Sequence, residues 1–113
     1  MGALKLTLLS LMLMTVVSGH PRFRNLIPNG DQVIYLNRPW PGVGHTNRGG
    51  GGELNLFGVD FRNNNFQWTR ELCLRDSDGD GRSNGRELGD PNCVWRVGQP
   101  NPPGPVTHPG FRD

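Results

Sequence analysis

Residues 76–87 read DSDGDGRSNGRE. Numbered as twelve positions, they put Asp76, Asp78 and Asp80 at 1, 3 and 5, Gly81 at 6 and Glu87 at 12. That is the spacing of an EF-hand calcium loop. A hard cation takes about six to eight oxygens at roughly 2.3–2.6 Å. Side chains at positions 1, 3 and 5 converge inward, and the glycine at 6 allows the sharp turn between them. The Arg82 carbonyl serves at position 7, and Asn84, or a water it holds, at position 9. Glu87 closes the site from the first turn of an exiting helix, with both carboxylate oxygens. The expected ligands are therefore Asp76, Asp78, Asp80, Arg82, Asn84 and Glu87, and the expected ion is a structural Ca2+. The competing account is a solvated acidic turn, which must hold four carboxylates together without a counter-charge.

Two departures set this loop apart from hands that work in pairs. Position 8 is Ser83, where paired loops carry an aliphatic residue that joins a small β-ribbon to the partner. The exiting helix must also stop at Gly89, with Pro91 behind it. The flanks offer another closure. Cys73 lies three residues before Asp76 and Cys93 six after Glu87, so a Cys73–Cys93 disulfide would clamp both ends of the loop. Arg75, Arg82 and Arg86 dilute the negative charge, which places the expected affinity in the extracellular range of about 10⁻⁴–10⁻³ M.

The rest of the chain fits an extracellular setting. Residues 1–19, MGALKLTLLSLMLMTVVSG, combine an early Lys, an apolar run from Leu6 to Val17 and a small-residue exit. These are the parts of a secretory signal peptide, cleaved near Gly19–His20. The apolar run is shorter than the ~20 residues a membrane span needs, and no second one follows. What remains is residues 20–97 as one small domain and 98–113 as a Pro-rich tail. Without Lys5, this part holds 11 Arg against 10 acidic residues, scattered rather than clustered. That pattern gives no footprint for nucleic acid or membrane partners. A polar chain of this size, with 15 of the 17 Gly and all 10 Pro of the sequence, buries little core and needs a staple. An oxidising compartment favours pairing of its only two cysteines. The loop so closed spans about 20 residues, and closing it stabilises by about 3 kcal/mol in the chain-entropy model.

Along the domain, Pro28-Asn29-Gly30 marks a turn, and Gln32–Leu36 is expected as a short strand. Residues 38–53, with prolines around Trp40 and four glycines at 49–52, are expected as loop. The segment LNLFGVDF, 54–61, alternates enough for a second strand with Phe57, Val59 and Phe61 on one face. A short helix is expected within 63–75, with Trp68, Leu72 and Cys73 on one side and either Asn65 or Thr69 as its cap. A further helical turn is expected around Arg86–Leu88. The fold class expected is a loop-rich, disulfide-stapled α+β domain. It has two short strands and one or two short helices around the calcium loop. Trp40, Trp68, Trp95, Phe57, Phe61 and Phe66 supply most of its core, and the tail is extended or irregular.

Several stretches taken together carry a resemblance: LIPNG (26–30), WPGVGH (40–45), LNLFGVDF (54–61), FQWTRELC (66–73), DSDGDGRSNGRELGDPNCVW (76–95) and THPG (107–110). The chain resembles the temptin family, small secreted proteins of marine molluscs whose domain also occurs in other extracellular proteins. The resemblance implies a secreted, disulfide-stapled domain with a metal site. It also implies a part in waterborne pheromone signalling, with other secreted attractant proteins or peptides as partners. Family members commonly hold a second bridge from the segment after the IPNG turn to the C-terminal region. Here VIYLNRPW (33–40) and HPGFRD (108–113) contain no Cys, which leads to the expectation that the terminal segments are less tied down.

Two other functions compete. One is an extracellular or shell organic matrix component. The other is a copper enzyme using His20 as the mature N-terminus, with His45 and His108 as further ligands. The bland account has His45 as a hydrogen-bonded loop residue. A serine hydrolase would show a G-x-S-x-G turn and a thiol enzyme a free Cys. The sequence has neither, and the expectation is a non-enzymatic protein.

Overall fold

The computed structural model describes residues 20–112, so the signal peptide expected over 1–19 lies outside the described residues, as does the side chain of His20. The chain enters as a 3₁₀ helix, His20–Leu26, and turns at Pro28-Asn29-Gly30. There Asn29 adopts φ 54°, a left-handed geometry that Asn tolerates. The strand expected over Gln32–Leu36 shrinks to two residues. β1 (Ile34–Tyr35) pairs antiparallel with β2 (Arg38–Pro39), in the register Ile34 to Pro39 and Tyr35 to Arg38. Leu36 and Asn37 both have positive φ, as a two-residue hairpin turn of this twist requires.

The second strand expected over 54–61 is not there. Only Leu54 pairs, in an isolated bridge with His45, and the chain then forms helix α1, Leu56–Asn63. Asn55 makes the difference. Its Oδ1 accepts from Gly58 N at 2.8 Å, satisfying an orphan donor of the first turn. Its Nδ2 donates to Val43 O at 2.7 Å and fixes the incoming loop. Phe57 and Phe61 satisfy an i, i+4 stripe as well as an alternating one. In the helix both are buried, with rings stacked 6.0 Å apart, while Val59 is only half-buried.

Helix α2, Arg70–Leu74, is capped by Thr69, whose Oγ1 accepts from Leu72 N at 3.1 Å. Helix α3, Asn84–Glu87, exits the acidic loop. The fold is thus a small α+β domain with two antiparallel strands, three short α-helices and one disulfide among its described residues. Cys73 and Cys93 form that bridge, with Cα atoms 5.8 Å apart. The core joins Ile27, Val33, Val43, Phe57, Phe61, Leu72 and Leu88. Of the six aromatic residues expected there, Phe57, Phe61 and Trp95 are buried, Trp40 and Trp68 are half-buried, and Phe66 lies at the surface.

The tail carries no helix or strand, yet it is firmly placed. His108, Pro109 and Gly110 are buried. Tyr35 and Trp40 meet Phe111 at ring-centroid distances of 4.8 and 5.4 Å and His108 at 5.6 and 5.7 Å. For the terminal segments expected to be less tied down, this packing is what joins them. Where relatives were expected to carry a second bridge, the same two segments are joined here by four packed rings. At the start of the domain, Asn29 Nδ2 donates to both Leu88 O and Pro102 O, at 2.9 and 3.0 Å.

Candidate metal centre

The acidic loop runs from the end of α2 to the start of α3, and its neck is closed by Asn84 N donating to Arg75 O at 2.7 Å. Asp76 organises the first half. Its Oδ1 accepts from Gly79 N and Asp80 N at 3.0 and 3.2 Å, and its Oδ2 from Gly81 N at 2.8 Å. Gly81 sits at φ 94°, a conformation costly for any residue with a Cβ. Asp78 Oδ1 accepts from Asp80 N at 3.1 Å and Asp80 Oδ1 from Arg82 N at 3.0 Å. Both oxygens of Asp76 and one each of Asp78 and Asp80 are thereby held by the backbone, and the second oxygens of Asp78 and Asp80 are buried. Both of those atoms are buried without a hydrogen-bond donor, although the Arg82 guanidinium stands 3.6 Å from Asp80 Oδ2.

Ligand oxygens of Asp76, Asp78 and Asp80 all lie within 4.8 Å of one another. Glu87, almost fully buried, brings a fourth carboxyl into contact with that of Asp80. The electrostatic cost falls on Asp78. Burial, reinforced by the Asp80 and Asp76 carboxyls, pushes it up to about 7, against the pull of the Asp80 N–H. Burial opposes ionisation of Asp80 too. Hydrogen bonds with the Glu87 side chain, the Arg82 N–H and the Asp78 side chain outweigh it and hold that carboxyl below its ordinary value. A pair of adjacent carboxyls driven apart in this way is what proton sharing produces. A divalent cation reverses that logic, because its own charge favours the ionised form of every oxygen around it. The donor set, carboxylates with a backbone carbonyl at hand, suits a hard cation rather than a soft one.

Asn84 is placed differently from the other expected ligands. It is fully buried, its Nδ2 donates to Leu72 O and Ser77 Oγ, both at 2.8 Å, and its Oδ1 lies 3.3 Å from Ser77 N. Its amide thus ties the loop to α2. Ser83, the anomalous position 8, caps α3, with its Oγ accepting from Arg86 N at 3.1 Å.

The outer frame uses residues that spacing alone does not reveal. Asp60 of α1 accepts from Ser77 Oγ at 2.7 Å and pairs with Arg75 Nε at 3.1 Å. Thr107 N donates to Glu87 O at 2.8 Å, with its Oγ1 3.4 Å from Glu87 Oε1. Arg112 donates to the carbonyls of Asp78 and Gly79. Asp90 folds the exit, accepting from Val94 N, Trp95 N and Trp68 Nε1 at 3.0–3.1 Å. Each contact joins segments distant in sequence, or depends on a turn no local signal announces. His45 and His108 stand apart from this cluster. His108 Nδ1 accepts from Gly110 N at 2.9 Å, and the His45 carbonyl receives Trp40 Nε1 and Asn55 Nδ2. Among the described residues, the metal-competent group of three or more His, Cys, Asp or Glu side chains is Asp76, Asp78 and Asp80, with no histidine in it.

Comparison with known proteins gives a consistent answer. The family described as Temptin C-terminal matches residues 17–111. The protein named Temptin from Aplysia californica is 47% identical over 104 residues, covering 88% of this chain and 83% of its own. No solved structure matches.

Proposed function

The chain belongs to the temptin family, and from that premise we propose that it is a secreted, non-enzymatic calcium-binding protein of a waterborne attractant complex. It acts by contact with other secreted proteins or peptides. The attractant role follows from the family; the calcium role has support of its own. The observation that carries it is the convergence of Asp76, Asp78 and Asp80, with Glu87 against Asp80 and with buried Asp78 and Asp80 oxygens that accept no hydrogen bond, the Arg82 guanidinium standing 3.6 Å from that of Asp80. Those four side chains and the Arg82 carbonyl would hold the ion, while Asn84 keeps the loop on α2. The ion supplies positive charge where four carboxyls meet. It thereby stiffens the loop, α3 and, through Thr107 and Arg112, the C-terminal segment.

The disulfide supports an extracellular location, since such bridges persist in oxidising compartments. Among the described residues no feature singles out the copper-enzyme or the matrix alternative.

Two experiments test the proposal separately. Calcium titration should raise the thermal midpoint of the folded protein, and no rise at about 10 mM Ca2+, above the ~10⁻³ M end of the expected range, overturns the calcium assignment. For the attractant role, the tagged protein should retain a small secreted peptide or protein from the source animal's secretions. Repeated recovery of none overturns it.

A further inference from the structure

Beside α1 lies a recess of about 220 Å³. One wall is aromatic: Phe57 and Phe61 of α1, with Phe23 and Phe66 at the rim. The other is the glycine-rich loop. That loop is folded tightly on itself and onto α1: a Cβ on Gly42 would stand 2.3 Å from Gly50 N, and one on Gly58 of α1 would stand 1.9 Å from Gly44 O.

A glycine-rich loop often cradles phosphate with free N–H groups. This one does not. Gly42 N donates to Arg48 O, Gly50 N to Asn47 O and Gly49 N to Asn47 Oδ1, at 2.8–3.0 Å. With those donors engaged inside the loop, the wall offers an anion little, and offers a peptide backbone few main-chain partners of the kind strand-like recognition uses. What faces the recess is mostly carbon, with Arg24 and His45 also in its lining. The rim is held at a backbone cost: Asn65 and Phe66 are consecutive left-handed residues, φ 59° and 56°. A bulky side chain rarely adopts that conformation unless its surroundings impose it. The turn sets Phe66 flat against Phe23, centroids 5.0 Å apart and planes 11° from parallel, and edge-on to Phe61.

We propose that this recess is a binding site for a small, uncharged, predominantly hydrocarbon molecule of about ten non-hydrogen atoms. An engineered cavity of about 150 Å³ lined by apolar side chains stays dry and takes benzene, and this recess is larger. Water entering it finds few hydrogen-bond partners, whereas an apolar guest gains dispersion contacts with rings on one side and loop backbone on the other. The site is independent of the calcium reading, since it uses none of the acidic residues.

Naphthalene is the probe. Titrated into the calcium-saturated full chain, it should perturb backbone amide NMR signals of residues 42–58, Phe23 and Phe66, leaving those of 76–87 unmoved. Leu54→Trp, which fills the recess from its lining, should weaken binding at least tenfold while retaining the calcium-induced rise in thermal midpoint. Should that variant fail to fold, Phe66→Ala, which opens the rim at an exposed position, should weaken binding several-fold. Naphthalene-2-sulfonate, of equal ring size but charged, should bind at least tenfold more weakly than naphthalene. The proposal is overturned if naphthalene at its solubility limit moves none of these signals. Equal binding of the charged probe, or undiminished binding by the folded variant, overturns it as well.

Discussion

Tyr35 in the hairpin and Phe111 near the C-terminus stack at 4.8 Å between ring centroids, with planes 31° apart. The contact joins the two segments for which a second disulfide was expected among relatives. A covalent bridge restricts the unfolded chain, whereas packed rings act by burying area in the folded one. The difference can be measured. Phe111→Ala should destabilise the protein by about 2 kcal/mol, below the ~3–5 kcal/mol of a fully buried Phe because Phe111 is only half-buried. Urea unfolding monitored by tryptophan fluorescence checks this.

His108 in the same cluster makes stability depend on pH. Burial pushes its pKa down from 6.5 to about 3, and protonation at Nδ1 would set an N–H against the Gly110 N–H that this nitrogen now accepts. The unfolded chain takes the proton first. The contribution of neutral His108 is thus fully present above pH 6.5 and is lost as pH falls toward 3, at about 1.4 kcal/mol per pH unit. With calcium saturating, unfolding at pH 7 and pH 5 should differ by about 2 kcal/mol. A His108→Leu variant should show a correspondingly flatter profile.

Gly85 of α3 lies against the disulfide. A Cβ there would stand 2.4 Å from Cys73 Sγ and 2.5 Å from Asp90 O. Gly85→Ala should cost about 3 kcal/mol through forced displacement of α3 from α2, despite alanine's better helix propensity. Gly49→Ala, whose nearest contact would be 3.8 Å away, should change stability little. Chemical denaturation of the pair separates packing from composition.

Glu87→Gln should act in opposite directions with and without the ion. In calcium it removes one charged oxygen, and the dissociation constant should rise at least tenfold. In chelator it removes one of four crowded carboxyls, so the midpoint should hold or rise slightly. Thermal unfolding in both buffers tests the pair of signs, and a loss of stability in chelator would show Glu87 acting as a packing residue alone.

The acidic loop, its helix exit and the disulfide were legible because their signals are local: fixed spacing, a glycine, cysteines on each flank. Helix α1 was misassigned because Phe57 and Phe61 fit two periodicities. The deciding residue, Asn55, gave a cap signal that an alternating pattern obscured. The strap formed by Thr107 and Arg112, and the ring cluster around His108, were out of reach for a different reason. They depend on where an irregular, Pro-rich tail returns, and no periodicity governs such a path. Asn84 shows the limit within the motif itself. Its spacing suggests a ligand, directly or through a water, and its Nδ2 also donates to Leu72 O and Ser77 Oγ, a tie to the short helix beneath it that spacing does not announce.

Ser83, by capping α3, also determines how the loop answers a change in concentration. Loops coupled through a shared ribbon help each other fill, which sharpens the response around a threshold. If the proposed ion fills a single loop of this kind, the expected filling curve is a plain hyperbola with a Hill coefficient of about one. Such a curve is too shallow for a trigger, and in a medium of steady ionic composition it amounts to a permanent fitting.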